Sequence, residues 1–156
     1  MPDHDITLVD CSLAHAKILA AIHAECFDDT WSALEFETLL ISPGVFGCVA
    51  EFRSEPAGFL LCRAVADECE ILTIGVLLPH RRCGIAGKLI GKLIQDMGKL
   101  KIAKIFLEVA ETNEAARNLY SGKDFVEIGR RENYYNKSNG RVDGLILAKT
   151  MISKTT

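Results

Sequence analysis

The sequence lacks a long hydrophobic run, closely paired cysteines and an excess of positive charge. No stretch of its 156 residues approaches the roughly 20 consecutive apolar residues that a membrane-spanning helix requires. The opening segment, MPDHDITLVDCSL, carries acidic residues where a secretory signal carries basic ones. We therefore expect a cytoplasmic, soluble protein that does not act on a membrane.

The cysteines and histidines also lack the spacing of a metal site. No two of the six cysteines form a Cys-x-x-Cys pair, and the four histidines are not arranged around them as zinc ligands would be. We expect no bound metal and, in the cytosol, reduced thiols packed mainly in the core. The cysteines are Cys11, Cys26, Cys48, Cys62, Cys69 and Cys83.

Charge and composition narrow the class of protein further. A net charge of -3 gives no broad basic surface, so direct binding to nucleic acid is not expected. The chain is 49% hydrophobic and 25% charged, with no internal repeat, low-complexity segment or Pro/Ser-rich linker. We interpret residues 1–156 as a single domain and expect a monomer.

Hydrophobic periodicity predicts an α/β (α+β) protein with the element order αα-βββ-α-β-α-ββ, after a first strand at residues 5–10. Ser12, Ser32 and Asn113 are candidate helix N-caps, and Ser32 opens a Ser-x-x-Glu capping box. A further helix follows Gly84, and Asn139-Gly140 marks a hairpin turn. The predicted helix at the start covers residues 12–26, and the later strands cover 45–52, 57–65, 70–78, 104–110, 125–135 and 141–151.

Residues 71–90, ILTIGVLLPHRRCGIAGKLI, join an apolar strand to an amphipathic helix through arginines and glycines. Backbone N–H groups at a helix N-terminus, unobstructed by side chains at Gly84 and Gly87, bind phosphate oxygens well, and nearby arginines add charge. The pattern is typical of a nucleotide-cofactor site, although neither a dinucleotide-binding nor a Walker motif is present. A tight turn before a packed helix remains the alternative.

The same segment resembles motif A of the GNAT superfamily of acetyl-CoA-dependent N-acetyltransferases, with Arg81, Gly84 and Ala86 forming its R-x-x-G-x-A. Three further stretches, WSALEFETLLISPGVFGCVAE, LEVAETNEAARNLYSGKDF and RRENYYN, are similar to bacterial ribosomal-protein alanine N-acetyltransferases of the RimI type. The resemblance covers nearly the whole chain. It implies the GNAT fold, with a mixed, mostly antiparallel sheet, and acetyl transfer to a protein N-terminus such as that of a ribosomal protein.

The resemblance also implies a set of residues that bind acetyl-CoA as co-substrate. The strand would pair with the pantetheine arm, and Gly75 indicates a bulge or a close backbone approach that frees an N–H for the thioester oxygen. The turn would hold the pyrophosphate, and Asn113 would contact pantetheine, its alternative role being a plain helix cap. The cofactor residues are Ile74, Gly75, Val76, Arg81, Arg82, Cys83, Gly84, Ile85, Ala86, Gly87 and Asn113.

Two residues receive catalytic roles from the resemblance. Glu108 lies in the apolar strand IFLEVA, where a buried carboxylate needs a partner, and it matches the general base that deprotonates the substrate amine. Its alternative is a position on a solvated sheet face. Tyr120 matches the general acid that protonates the departing thiolate, and its alternative is an aromatic core contact.

Trp31, Tyr134 and Tyr135 would line the groove for the acceptor peptide, the alternative being ordinary packing. The chain departs from the family pattern near this groove, at Thr30 and Ala110. A third departure, Asp124 in place of glycine before Phe125, falls where a left-handed turn is expected. These changes affect the expected acceptor preference more than acetyl transfer itself.

Other functions remain open at this point. The chain could acetylate a small-molecule amine or a lysine side chain, or it could be a non-catalytic acetyl-CoA sensor. Retention of a general base and a general acid disfavours the sensor. An α-amino group, with a pKa of about 8 against about 10.4 for lysine, needs less help from a base near neutral pH.

Overall fold

The computed structural model describes residues 5–137 and 140–151, and it has the mixed, mostly antiparallel sheet that the sequence predicts. Within these residues there are four α-helices and seven strands. The helices are α1 (Ala16–Cys26), α2 (Ala33–Leu40), α3 (Ile85–Lys99) and α4 (Glu114–Ser121). The strands are β1 (Ile6–Asp10), β2 (Val45–Phe52), β3 (Glu55–Val65), β4 (Glu68–Val76), β5 (Lys104–Ala110), β6 (Val126–Lys137) and β7 (Gly140–Thr150).

The chain divides into two compact units. The first comprises residues up to 65 together with 71–96, and the second comprises residues 66–70 and the chain from 97 onward. The organisation of residues 1–156 as a single domain stays a prediction.

In the first unit the strands follow the order β1-β2-β3-β4, and β2 pairs antiparallel with β1 and β3. Helices α1 and α2 cover a core of apolar side chains, because their apolar residues recur at helical spacing. The buried members of this core are Ala16, Leu19, Ile22, Phe36, Val49, Phe59 and Leu61.

In the second unit the order is β4-β5-β7-β6. The first residues of β4, Glu68–Glu70, pair in parallel with β5, and β7 pairs antiparallel with both β5 and β6. Alternate residues of β5, which are Ile105, Leu107 and Val109, are buried, as expected for a strand with one apolar face.

Several element ends differ from the sequence prediction. Strand β4 ends at Val76, because Leu78–His80 form a 3-10 turn around Pro79, which has no N–H to donate to a strand. Strand β3 begins two residues early, since Arg53 and Ser54 both have positive φ (50° and 69°) and close a tight hairpin. The first helix opens with a 3-10 turn at Leu13–His15 before α1.

Local helix signals are confirmed. Ser32 and Glu35 form the predicted capping box: the Glu35 N–H donates to Ser32 Oγ at 3.1 Å, and the Ser32 N–H donates to Glu35 Oε2 at 2.9 Å. Asn113 caps α4 by accepting the Ala116 N–H at 3.1 Å. Helix α3 buries Leu89, whereas Leu100, predicted on the same stripe, lies beyond the helix end and is 67% exposed.

The cysteine side chains lie mostly inside. Cys48, Cys62 and Cys69 are buried, and the other three are half-buried. Burial raises the pKa of Cys11 to about 12 and that of Cys48 to about 11, so neither is a nucleophilic thiol at neutral pH. In the described part of the chain, no three His, Cys, Asp or Glu side chains are placed to hold a metal ion. No helix among the described residues is long and apolar enough to cross a membrane.

Candidate functional site

The end of β4 is tightly packed around Gly75. A Cβ built on Gly75 would lie 3.1 Å from both Cys26 Sγ and Phe59 Cε1, so a side chain there would displace buried neighbours. The next carbonyl, Val76 O, accepts from Arg81 Nε at 2.8 Å and from the Cys26 thiol at 3.5 Å. The glycine therefore makes room for packed side chains, and the bulge or close backbone approach indicated by the sequence stays a prediction.

The turn after β4 has an unusual backbone. Arg82 has φ +64° and Gly84 has φ +80°, both in the left-handed region. Successive residues of different handedness turn their N–H groups towards a common side, which is the arrangement known to bind anions. The side chains of Arg81 and Arg82 are exposed, and the Cys83 Sγ lies 3.6 Å from Arg81 O. The turn thus lies at the surface of the protein.

The first turn of α3 is open to a ligand. A Cβ placed on Gly84 or Gly87 would meet no atom within 4 Å, so that space is empty in the protein. The Lys88 N–H already donates to Gly84 O at 3.0 Å, which starts the helix, while the preceding N–H groups have no intrahelical acceptor. The residues present therefore fit a bound phosphate group, supported by the helix dipole.

Trp31 lies between α1 and α2 in a cluster of rings. Its indole stacks on His23 with 4.8 Å between ring centroids, and Phe36 lies 5.6 Å from it. The Trp31 N–H donates to His23 Nδ1 at 3.2 Å. Burial lowers the pKa of His23, against an opposing effect from the negative charges of Asp29 and Glu35.

A cavity of about 590 Å³ opens beside this cluster. Its walls come from the segment that joins the two helices and from one face of α2. The wall is mixed, with two carboxylates, two hydroxyls and three apolar side chains, so it suits a peptide better than a purely apolar ligand. The lining residues are Asp29, Thr30, Trp31, Leu34, Glu35, Thr38 and Leu39.

Glu108 lies on β5 beside residues of β6 and β7. Arg131 Nε lies 3.0 Å from Glu108 Oε1, close enough for an ion pair. The contact does not meet hydrogen-bond geometry, so this buried oxygen has no hydrogen-bond partner within residues 5–137 and 140–151. A Cβ on Gly144 would lie 3.3 Å from the same oxygen, which shows how closely β7 passes. A buried carboxylate oxygen that lacks a hydrogen bond can accept one from a bound molecule.

Tyr134 is the last residue of a bulge in β6, and Tyr135 follows the bulge. The ladder passes from the pair Arg131–Gly144 to the pair Tyr135–Val142, so three residues of β6 face a single residue of β7, and Asn133 within the bulge has φ +53°. The two tyrosine rings lie edge to face at 5.1 Å, and Tyr134 is 51% exposed. Burial raises the pKa of Tyr135, and the nearby Glu108 charge adds to the effect.

The Asp143 carboxylate holds this bulge in place. Its Oδ1 accepts the Asn133 N–H at 2.9 Å, and its Oδ2 accepts from Arg130 Nη1 at 2.8 Å. Arg130 also pairs with Glu111 at 3.1 Å. The hydrogen bonds from the Asn133 N–H and from Arg130 lower the pKa of Asp143, and the backbone N–H has the larger effect.

Tyr120 and Asp124 lie at the end of α4. Tyr120 is 1% exposed and packs edge to face on Phe125 at 5.2 Å, which agrees with the core-contact alternative. Its general-acid role stays a prediction. Asp124 has φ +67°, so aspartate itself adopts the left-handed turn that was expected of a glycine.

Sequence reasoning missed three residues of these regions: His23, Arg131 and Asp143. His23 lies in an apolar helical stripe, four positions before Phe27 and eight before Trp31, and this spacing was the available signal. For Arg131 and Asp143 the bulge decides their partners, and nothing in the local sequence fixes a bulge.

Comparison with known proteins agrees with this geometry. Residues 16–125 match the model of the Acetyltransferase (GNAT) family. The [Ribosomal protein bS18]-alanine N-acetyltransferase of Haemophilus influenzae is 38% identical over 92 residues, which are 58% of this chain and 62% of that protein. The match thus spans about three-fifths of that relative's length. The N-alpha-acetyltransferase RimI of Mycobacterium tuberculosis is 30% identical over 85% of this chain and 86% of its own length.

A solved structure extends the comparison over the fold. The crystal structure of the ribosomal-protein-S18-alanine N-acetyltransferase from Escherichia coli superposes with a TM-score of 0.90 at 25% identity, covering 96% of each chain. The sheet order, the glycine-rich turn and the family match all point the same way. The chain belongs to the GNAT family of acetyltransferases.

Proposed function

We propose that the chain is an acetyl-CoA-dependent N-acetyltransferase that modifies the N-terminal α-amino group of a protein, with a ribosomal protein as the candidate acceptor. The observation that carries the proposal is the Arg81–Gly87 turn, whose left-handed residues and open glycines fit a phosphate-bearing co-substrate. The acceptor class rests on relatives whose names specify a ribosomal-protein alanine or an N-alpha group.

Acetyl-CoA would bind through backbone groups for the most part. The pyrophosphate would accept hydrogen bonds from the N–H groups of residues 82–87, with Arg81 and Arg82 adding positive charge. The pantetheine arm would pair with the edge formed by Ile74, Gly75 and Val76, and Asn113 would contact it in addition to capping α4. The proposal needs no metal ion.

The reaction we propose is a direct transfer. The neutral amine nitrogen attacks the thioester carbon, the new C–N bond forms, and the C–S bond breaks. Glu108 accepts the proton that the amine loses, directly or through one water, and Tyr120 donates a proton to the departing thiolate. The buried, unsatisfied Glu108 oxygen supports the first role.

A chain terminus is favoured as acceptor on chemical grounds. Its amine has a pKa of about 8, whereas that of lysine is about 10.4, so more of it is already neutral near pH 7. Trp31, Tyr134 and Tyr135 are the proposed acceptor contacts, since all three present aromatic surface beside polar groups. Cytoplasmic location and the monomeric state stay predictions from the sequence.

The test is an acetyl-transfer assay on peptides that differ in their first residue, with spermidine, an aminoglycoside and a peptide whose N-terminus is blocked but which contains lysine. We expect transfer to free peptide N-termini, led by alanine. Transfer to spermidine or the aminoglycoside alone would instead identify a small-molecule amine as the acceptor. Acetyl-CoA binding without transfer to any amine would favour the sensor.

A further inference from the structure

His23 is a buried polar side chain that the proposed acetyl transfer does not use. It lies on α1, 2% exposed, with its ring stacked on Phe27 at 4.3 Å and on Trp31 at 4.8 Å. Phe36 meets the ring edge to face at 5.6 Å, and Phe59 lies tilted at 6.4 Å. Burying a histidine in such an apolar cluster costs free energy unless its ring nitrogens form hydrogen bonds.

One of those nitrogens accepts a backbone hydrogen bond. The Trp31 N–H donates to His23 Nδ1 at 3.2 Å, which requires a lone pair on Nδ1. The ring is therefore the neutral tautomer with its proton on Nε2. A protonated ring would carry a hydrogen on Nδ1 that points at the Trp31 N–H, and the hydrogen bond would be lost.

The hydrogen bond acts on a short connecting segment, the Phe27–Trp31 linker. At its start, the Phe27 N–H donates to the carbonyl of His23 at 3.0 Å, which ends α1. At its end, the Ser32–Glu35 capping box begins α2. His23 thus contacts the linker at both ends, through its backbone at Phe27 and through its side chain at Trp31.

We propose that His23 is a positioning residue, whose neutral ring holds the Phe27–Trp31 linker and the indole of Trp31 in the wall of the 590 Å³ cavity, and whose protonation releases them. The inference rests on the proposed function only in assigning the acceptor to that cavity. His23 then sets the acceptor affinity through Trp31 and makes that affinity dependent on pH.

The charges around His23 set the direction of the pH dependence. Asp29 on the linker and Glu35 on α2 favour the charged ring, whereas Phe27 of the linker and Phe59 of β3 present uncharged rings. Burial has the larger effect and lowers the pKa of His23 below its ordinary value of about 6.5. The neutral ring therefore stabilises the fold above that pH, and the contribution is lost as the pH falls through the lower folded-state pKa.

The protein supplies its own probe for this motion. Trp31 is the one tryptophan of the sequence, so fluorescence excited at a wavelength that tyrosine does not absorb reports the linker alone. Emission and acrylamide quenching would be recorded from pH 8 to pH 4.5, with far-UV circular dichroism to confirm that the fold persists. The measurement does not depend on activity.

Two variants separate the ring from the acceptor. His23→Asn keeps an acceptor near the Nδ1 position and cannot titrate, whereas His23→Phe keeps the ring and loses the acceptor. The matched control is His15→Asn, because the exposed His15 Nδ1 also accepts a backbone N–H, that of Ser12 at 2.9 Å.

We expect the wild type and His15→Asn to show a fluorescence transition below pH 6.5, and both His23 variants to lack it. At pH 7.5, His23→Phe should raise the acrylamide quenching of Trp31 and the KM for a peptide acceptor by about fivefold, the effect of one lost hydrogen bond, with kcat nearly unchanged. His23→Asn should show the smaller KM increase. If it unfolds, the Phe variant still carries the test.

A transition that persists in a folded His23 variant, or a wild type that shows none while folded, would overturn the inference. A His23→Phe variant whose kcat falls by as much as its KM rises would also overturn it, since that pattern indicates general destabilisation. A wild type that titrates as expected but acetylates no peptide would instead contradict the proposed function and leave the positioning role intact.

Discussion

The two units hold their candidate functional segments by different physical means. In the first unit, the Phe27–Trp31 linker and the Arg81–Gly87 turn depend on backbone N–H groups, left-handed residues and stacked neutral rings. In the second, Glu108 and the bulge before Tyr135 depend on charged side chains, with Arg131 on the carboxylate and Asp143 on the bulge. The first arrangement is sensitive to shape, and the second is sensitive to charge.

Burial explains why each means is used where it is. His23 is 2% exposed, so a charge there would lack water, and a neutral acceptor is the stable choice. The Arg131 side chain is 56% exposed, so its charge is solvated and its pairing is screened by salt. Exposed ion pairs add little net stability, and we interpret Arg131 as a group that orients Glu108.

The largest effect is expected at Glu108, the proposed general base. Glu108→Gln keeps the side-chain shape and removes the base, so the single-turnover rate should fall by roughly 10²- to 10⁴-fold. The loss should be partly restored at high pH, where more of the amine is already neutral. Rapid-quench measurements on a good peptide acceptor from pH 6 to 9 would check this.

The matched control is Glu127→Gln. Glu127, on β6, is also paired with an arginine, Arg130 at 3.7 Å, but it lies away from the Glu108 oxygen. Its rate should stay close to that of the wild type. If Glu108→Gln turned over at the wild-type rate across that pH range, Glu108 would have a structural role on the sheet and would not be the base.

The second prediction introduces a negative charge into the phosphate turn. Gly84→Asp places a carboxylate in the empty space where phosphate oxygens are proposed to bind, and repulsion at about 4 Å should weaken acetyl-CoA binding roughly 5- to 1,000-fold. Titration calorimetry would measure the loss.

Gly84→Asn is the control for this change. Asparagine has nearly the same size, and like aspartate it tolerates the left-handed backbone found at Gly84. The difference between the two variants isolates the charge. Equal binding by a folded Gly84→Asp and the wild type would place the phosphates elsewhere.

Local signals were enough to predict most of the first unit. The capping box at Ser32, the strand at residues 45–52 and the arginine-glycine turn each depend on neighbouring residues, and each lies where the sequence places it. Errors at strand ends came from turns that the sequence does not specify by Asn-Gly or Asp-Gly, as at Arg53 and Ser54.

The second unit was harder to predict, because its contacts cross between strands. Asp143 reads as one more polar residue in an alternating strand, yet it holds Asn133, ten positions earlier, across a bulge. Likewise, Arg131 reaches Glu108 only in the register that the bulge sets. Sequence periodicity places a residue on a face, while pairing register decides which neighbour it meets.

The third prediction concerns the neutral hydroxyl of Tyr120 in the second unit. Tyr120→Phe removes only the hydroxyl, so it should lower kcat by about 10²-fold, the low end for general acid catalysis, since a thiolate leaves readily. Acetyl-CoA affinity should change little, and high pH should not restore the rate as it does for Glu108→Gln.

Single-turnover and steady-state rates must both be measured for Tyr120→Phe, because slow product release can hide a chemical defect. Phe125, which packs on the same ring, supplies the control: Phe125→Leu disturbs the packing and keeps the hydroxyl. A Tyr120→Phe enzyme with wild-type single-turnover kinetics would make Tyr120 a core residue only.

The smallest effect is expected at the Asp143 carboxylate, and it tests the contrast in pH and salt response. The pKa of Asp143 lies below its ordinary value of 3.8, because the Asn133 N–H and the Arg130 guanidinium favour the charged form. Its contribution to stability is therefore present above that pH and is lost as the pH falls through the lower folded-state pKa. The His23 contribution is lost at a higher pH, below about 6.5.

Asp143→Asn should lower the Tm slightly at pH 7 and remove the acid-dependent loss below pH 3.8, while the loss that begins below pH 6.5 stays. Because asparagine can still accept the Asn133 N–H, the remaining Tm difference reflects the pair with Arg130, and it should shrink in 1 M salt, where the screening length is about 3 Å. The His23→Asn variant should show the reverse, with the higher acid step gone and no salt dependence of its own. If salt acted equally on both variants, the linker and the bulge would be held by the same kind of force, because a neutral stacked ring has no net charge for ions to screen.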